Sequence, residues 1–435
     1  MNLIIFQLYF CSKQKMKDKT IFLKKRGDNL FNIKIIKSIM LYFDIDTLFR
    51  YYNSLIKDKT ITSSRIFKYS KLLKMVKKYE NICSIKPVGF SIEKRIIFKF
   101  QWGEGDFKIF IWSQMHGDET TGTKSMFDIF HFFSKEKNHD LVRFLRNKLT
   151  ILFIPMLNPD GSEKFKRRNS VNIDLNRDAI RLQSPEIKIL FYEIKKTNPH
   201  ILFNLHDQKS IYNIGDKYFN PSILSFLSPS VEGDKKITYK RKKSMGLISS
   251  IEKKMRGILP SIGSIGRYSD KIYPTATGDN FQKLGYPSIL FEAGWLPKDN
   301  QKEIIRKYNT FSILLGFYLL STNKINIEKE YKSYFFIPEN KKNLFDKIYR
   351  KFQIKKGKYQ FLVDIGMRTI EKFDPIRKNI NLISKIVDIG DLSNFFAYED
   401  IIFNEKNFYI KRKKKVKIFQ KLEINTYLMF FKFIF

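Results

Sequence analysis

Short apolar runs recur between residues 85 and 320, and most are followed by a segment whose apolar residues fall at helical spacing. The run Phe107–Trp112 reads as a buried strand. It ends in Gln114-Met-His-Gly-Asp-Glu119, and residues 120–133 then take helical spacing. Residues 148–155 form a second strand-like run, which stops at the turn signal Asn158-Pro-Asp-Gly161. Residues 184–196 open with Ser-Pro-Glu, an N-cap followed by proline at the first helical position. Residues 201–205 read as a strand delivering His206-Asp207, and residues 287–291 as one delivering Glu292-Ala-Gly294. Residues 244–255 and 302–320 read as helices. Upstream, 45–56 and 64–79 have helical spacing with Thr62-Ser-Ser64 as the cap region between them, and 85–100 alternates as a hairpin does. This alternation predicts an α/β fold with a mixed, mostly parallel sheet covered by helices on both faces. Beyond 330 the pattern shortens. Residues 334–338, 359–364 and 386–389 read as strands of a small β-rich appendage. The expected organisation is a basic, weakly ordered extension over 1–40, a catalytic domain over 41–325, and a β-rich domain with a basic tail over 330–435.

Composition narrows the partners. The chain has 435 residues, 43% of them hydrophobic, enough for one large α/β domain with appendages. Lys and Arg number 81 against 43 Asp and Glu, a formal net charge of +38. The lysines are spread along the chain, and Lys, Ile, Phe, Asn and Tyr share AT-rich codons. Codon bias therefore accounts for the excess, and no specific nucleic-acid partner is expected. The basic run 411–417 reads as a solvated tail. Two cysteines, Cys11 and Cys83, make no disulfide framework and fit a reducing, cytoplasmic compartment. The first residues hold a short apolar run without a basic n-region or cleavage site, so they do not read as a signal peptide; Met16 and Met40 are alternative starts. No uncharged apolar stretch reaches about 18 residues, so no membrane span is expected.

The candidate chemistry gathers at strand ends, where open α/β sheets bind ligands. Of the five histidines, His131 and His139 lie beyond the first turn and receive no role, and His200 reads as a surface-turn residue. His116 and His206 each end an apolar strand, and Glu119 sits three residues after His116. Two imidazoles and one carboxylate are the protein ligands of a catalytic zinc, one per chain, with a position left for water. Glu292 also ends a strand between apolar neighbours. A partly buried carboxylate there is suited to take a proton from that water.

These motifs occur in a fixed order: His116-x-x-Glu119, Asn158-Pro-Asp-Gly161, Asp174-Leu-Asn-Arg177, His206, and Phe291-Glu-Ala-Gly294. The set resembles the zinc carboxypeptidases of the carboxypeptidase A-like family over about residues 85–320. Gly89-x-Ser-x-Glu-Lys-Arg95 also resembles a family segment, with Lys94 where the family has a second glycine. The resemblance implies that His116, Glu119 and His206 hold zinc and that Asp174 orients His116. It implies that Asn176 and Arg177 grip the substrate's terminal carboxylate, a use that suits the planar Arg fork. It gives Arg167, with Arg168 as rival, the polarisation of the scissile carbonyl, and it puts Arg95 along the approach. Tyr273, with Tyr268 as rival, matches the tyrosine that closes over the substrate. The specificity pocket falls near Asp279 and Asn280, whose polarity favours a basic or polar terminal side chain.

The expected activity is zinc-dependent hydrolysis of a C-terminal peptide bond, with Glu292 as general base. The substrate is a peptide or amino-acid derivative with a free carboxylate. A deacylase or amidase acting on N-acyl amino acids or cell-wall peptides is the alternative on the same scaffold. A non-catalytic basic binding module is the reading from another class.

Overall fold

The computed structural model describes residues 44–231, 237–322, 327–377 and 379–402. The extension expected over 1–40, Cys11 and the basic run 411–417 lie outside the described residues. Helix α1 (Ile45–Arg50) is capped by the Asp44 carboxylate, which accepts from Thr47 N at 3.0 Å, and leads into a π-turn at Tyr52–Ile56. Helix α2 (Tyr69–Tyr79) begins later than the serine-rich cap region suggested. Ser64 Oγ accepts from Ile66 N and leaves 64–68 as a loop. The hairpin follows as β1 (Ser84–Phe90) and β2 (Ile96–Trp102), and then β3 (Phe107–Trp112) and α3 (Thr121–Lys135). Lys94, in the hairpin turn, has φ +61°, a left-handed conformation that favours glycine. The departure from the family segment at Lys94 thus carries backbone strain of about 1 kcal/mol.

A helix not read from the sequence, α4 (Asp140–Lys148), comes next. His139 Nδ1 caps it by accepting from Leu141 N at 3.2 Å. It feeds β4 (Leu149–Ile154), the short helix α5 (Pro159–Glu163) and α6 (Pro185–Thr197). Pro185 starts α6 and Asn198, at φ +44°, ends it. The chain continues through β5 (Ile201–Asp207), β6 (Asn213–Ile214), β7 (Ser222–Leu227), α7 (Tyr239–Met255), β8 (Ser264–Arg267), α8 (Thr277–Lys283), β9 (Ser288–Ala293) and α9 (Glu303–Ser321).

Eight of these strands form one sheet in the order β1-β2-β4-β3-β5-β9-β7-β8. The β3–β4, β3–β5, β5–β9 and β7–β8 pairs are parallel, and the edge hairpin, β2–β4 and β7–β9 are antiparallel. β3 is central, and from Ile109 to Trp112 neither face meets water, which explains the apolar run there. Phe110 and Trp112 pack on one face with Ile187, Leu190, Ile194 and Phe281 from α6 and α8. On the other face Phe127 and Phe130 of α3 form a ring cluster with Phe100, Phe153 and Tyr79, and Phe317 of α9 stacks on Phe203.

A buried ion pair ties the N-terminal segment to these helices. Asp128 of α3 accepts from Tyr52 Oη at 2.6 Å, Asp58 N at 2.8 Å and Arg306 Nε at 2.7 Å, and Arg306 Nη2 also binds it. Both charged side chains are fully buried.

Residues 334–338 are not a strand. They sit in and just after a 3-10 stretch, Ile327–Phe336, in which Tyr334 is buried and its Oη accepts from Ser228 N. Burying that ring, rather than pairing backbone, sets the local structure. Strand β10 (Asn340–Lys341) then pairs with β6. The appendage is a four-stranded sheet of β11 (Leu344–Lys356), β12 (Tyr359–Asp374), β13 (Asn379–Gly390) and β14 (Phe396–Ile402), in the order β13-β12-β11-β14. It meets the main body where Arg65 pairs with Glu371 and Phe165 packs against Phe373. Among the described residues, no helix is long and apolar enough to cross a membrane.

Candidate metal centre

Gln114, just past the end of β3, adopts φ +42°, rare for a residue with a side chain. Its amide holds the strained turn by donating to Phe67 O, Gly117 O and Ser162 Oγ. Gly117 has no room for a Cβ, which would fall 2.2 Å from Gly161 C. The turn of residues 114–119 therefore lies backbone to backbone on α5, whose Asn158 cap accepts from Gly161 N at 2.8 Å. The sequence read Asn158–Gly161 as a turn; in the fold it opens α5, on which the turn bearing His116 and Glu119 rests.

That packing brings His116, Glu119 and His206 together, with one ligand atom from each within 4.8 Å of the others. His116 Nδ1 lies 2.8 Å from Glu119 Oε1 and 3.2 Å from His206 Nδ1, and His206 Nδ1 lies 2.7 Å from Glu119 Oε2. Both imidazoles are buried, at 1% and 3% exposure. His116 Nε2 faces Asp174 Oδ1 at 3.1 Å, so its proton belongs on Nε2 and its Nδ1 lone pair faces the cluster. Lone pairs of two imidazoles and a carboxylate aimed at one point repel unless a cation is shared between them. The donor set therefore fits a zinc ion.

The electrostatics follow from burial and proximity. Burial alone would raise the Glu119 carboxyl, but the two histidines outweigh it and hold it well below the usual range. Burial pulls the His206 imidazole down. Asp118 is pushed up to about 6, first by burial and then by the Glu119 charge. Asp174 accepts from His116, Asn176 N and Arg167 Nε. Burial opposes ionisation of its carboxyl, yet these partners hold it below the ordinary carboxylate range.

Arg167 and Arg168 part company in space. Arg167 Nη1 lies 3.1 Å from Glu119 Oε1 and 3.0 Å from His116 Nδ1, while Arg168 turns away to the Asn172 carbonyl. Glu292 faces His206 in register across β5 and β9, so both side chains leave the sheet on the same face. Its Oε2 is buried with no hydrogen-bond partner among the described residues. Burial, then the charges of Glu119 and Asp207, raise its carboxyl well above the usual value.

The substrate-side candidates scatter more. Asn176 Oδ1 accepts from Thr277 N and Oγ1, which leaves its amide NH2 to donate elsewhere. Arg177 is exposed and stacks on the Tyr273 ring, 3.9 Å from its centroid. Tyr273 is 52% exposed, whereas Tyr268 is half-buried, donates to Gln208 Oε1 at 3.1 Å and packs on Tyr212. Asp279 accepts from Tyr273 N and is pushed up to about 6 by burial. Arg95 was expected along the approach to the site. It is bound to Glu93 and Asp160, where it locks the hairpin turn onto α5, because two carboxylates there outcompete solvent for it.

Sequence reasoning missed the surroundings of Asp207. Its Oδ2 accepts from Thr121 Oγ1 at 2.6 Å, its N donates to Glu119 Oε2 at 3.1 Å, and Lys302 Nζ lies 3.4 Å from it. An acid directly after a candidate ligand was the available signal.

Two histidines and a glutamate thus converge beside the sheet, with the half-buried Glu292 in register with His206. The family model of the zinc carboxypeptidases matches residues 69–209 of the chain. It is 34% identical over 115 residues to "Probable carboxypeptidase 2" of Trichophyton verrucosum, covering 25% of this chain and 21% of that protein. It is 29% identical over 126 residues to carboxypeptidase D of Homo sapiens, covering 25% of this chain and 9% of that one. The chain thus spans about a fifth or less of the length of these relatives. The crystal structure of the carboxypeptidase A from Helicoverpa armigera is similar at 15% identity and a TM-score of 0.47, over 64% of this chain and 82% of that one.

Proposed function

We propose that the chain is a zinc-dependent carboxypeptidase that hydrolyses the C-terminal bond of a peptide with a free carboxylate. The observation that carries this reading is the convergence of His116, Glu119 and His206, with Glu292 in register beside His206. His116 Nδ1, His206 Nδ1 and a Glu119 oxygen would hold the ion. Bound zinc supplies a Lewis acid that makes water acidic enough to react at neutral pH.

The chain's own residues do the rest. Glu292 takes a proton from the attacking water and returns it to the departing amine; a carboxyl with a raised pKa suits both transfers. Arg167 donates to the oxygen of the scissile carbonyl as negative charge develops there. Arg177 and the Asn176 amide bind the terminal carboxylate, which fixes which bond reaches Glu292. Tyr273 stacks on Arg177 and holds its guanidinium plane. Asp279 favours a terminal side chain that is basic or polar. A cytoplasmic location is proposed on cysteine usage alone.

Metal analysis and a hydrolysis panel test this. One zinc per chain and release of C-terminal residues from free peptides, but not from C-terminally amidated ones, are expected. Cleavage of N-acyl amino acids in place of peptides would assign the deacylase activity instead. Salt-dependent nucleic-acid binding without zinc would overturn both.

A further inference from the structure

We propose that Lys302 is a positioning residue that locks the metal centre and the general base into one unit; this rests on the function proposed above. Three observations meet on this side chain. It is 2% exposed, a burial that lysine rarely accepts. Its backbone has φ +55°, where a glycine or asparagine would be at ease, and it caps α9 with no side-chain bond to that helix. Neither local backbone preference nor solvation explains a lysine here, so the explanation lies in what its ammonium reaches.

The ammonium has three N–H donors, and three acceptors surround it. Nζ lies 3.4 Å from Asp207 Oδ2, 3.2 Å from Gln208 O and 3.2 Å from Ala293 O. The Trp295 ring covers it, 4.8 Å from the centroid. Each acceptor adjoins the reacting groups. Asp207 and Gln208 follow the ligand His206, and Ala293 follows Glu292. The ammonium therefore clamps the ends of β5 and β9 immediately beyond the two side chains whose separation the chemistry depends on. Gln208 N, donating to Ala293 O at 2.9 Å, closes the same junction.

Asp207 carries the hold to the third ligand. With Lys302 and Thr121 Oγ1 on one carboxylate oxygen, its backbone N–H is aimed at Glu119 Oε2 at 3.1 Å. A bond to the outer lone pair of a ligating carboxylate orients it toward the ion, and loss of such outer contacts typically weakens metal binding 10- to 100-fold. Arg65 and Glu371 also face Lys302. They pair with each other, which leaves Asp207 as the carboxylate bonded to Lys302.

The test uses the full chain in four forms: wild type, Lys302→Met, Thr121→Val and the double variant. Zinc dissociation constants come from competition with a chromogenic chelator, kinetics from a free-carboxylate peptide, and folding from circular dichroism and thermal unfolding of the metal-free proteins. Lys302→Met is expected to weaken zinc binding at least tenfold and to lower kcat with KM unchanged. Thr121→Val is expected to weaken zinc several-fold, and the double variant to fall short of the product of the two effects, because both act through Asp207. A Lys302→Met protein that loses thermal stability while its zinc affinity and kcat stay within twofold of wild type overturns the proposal, since that is the result of a purely structural lysine. If Lys302→Met does not fold, Thr121→Val decides: unchanged zinc affinity overturns the proposal and a several-fold loss supports it. A wild-type chain that binds no zinc overturns the proposed function and this inference together.

Discussion

His116 Nε2 lies 3.1 Å from Asp174 Oδ1, and that contact decides which nitrogen of the imidazole is available to a metal. With the proton held on Nε2, Nδ1 keeps its lone pair toward Glu119 and His206. Asp174→Ala is expected to weaken zinc binding about 10- to 100-fold while leaving the fold intact, measured by chelator competition. Unchanged affinity would remove Asp174 from the site.

Glu292→Gln keeps the shape of the side chain and removes its basicity. Zinc content is expected to stay at the wild-type level while kcat falls by about 10² to 10⁴-fold, the usual contribution of a positioned proton carrier. Full activity in this variant would rule out the assigned base.

Arg177→Met should raise KM for free-carboxylate peptides at least tenfold, since hydrogen bonds to a charged group contribute about 1.5–3 kcal/mol. Its effect on kcat should be the smaller one. Equal losses on free and amidated peptides would show that Arg177 does not read the carboxylate.

Asp128→Ala would leave the fully buried Arg306 guanidinium with only the longer 3.4 Å contact to Glu303, and would free Tyr52 Oη and Asp58 N as well. A destabilisation of about 3–5 kcal/mol is expected in urea unfolding, as for other broken buried pairs. A change below about 1 kcal/mol would mean that water reaches the pair.

Asp58 gives the acid dependence of stability. Burial opposes its ionisation, but Lys78, Thr60 and Tyr79 outweigh it and lower its carboxyl from 3.8 to about 2. The folded value is the depressed one. Its contribution, about 2 kcal/mol, is therefore fully present above pH 3.8 and lost as pH falls through about 2. The stability gap between wild type and Asp58→Asn should be flat at neutral pH and close across that window. A gap that instead widens on acidification would reverse the assignment.

Much of this was legible along the chain, for physical reasons that differ by element. β3 and β5 announced themselves because strands buried on both faces are mostly apolar, and the candidate ligands sit where those runs stop. α4 was hidden because His139 is an unusual cap, and β7 because Ser222 and Ser225 satisfy each other inside the sheet at 2.6 Å. Residues 334–338 misled because an aromatic run suits a strand and a buried 3-10 stretch alike. At the site, motif order gathered His116, Glu119, Asp174, His206 and Glu292, which the fold brings together. Lys302 was invisible: its partners are two backbone carbonyls and an acid 95 positions away, a relation no spacing rule contains.

The backbone contact between Gly117 and Gly161 divides the site mechanically. The turn bearing His116 and Glu119 rests on α5 with no side chain between them, and a Cβ at Gly161 would strike the carbonyls of Lys166 and Arg168 on either side of Arg167. The turn bearing His116 and Glu119 and the segment bearing Arg167 thus belong to one block, while Arg177 and Tyr273 stand on an exposed rim. On the proposed function, substrate arrival need reorder only that rim, and changes in which peptide is accepted can accumulate there without disturbing the block that holds His116, Glu119 and Arg167.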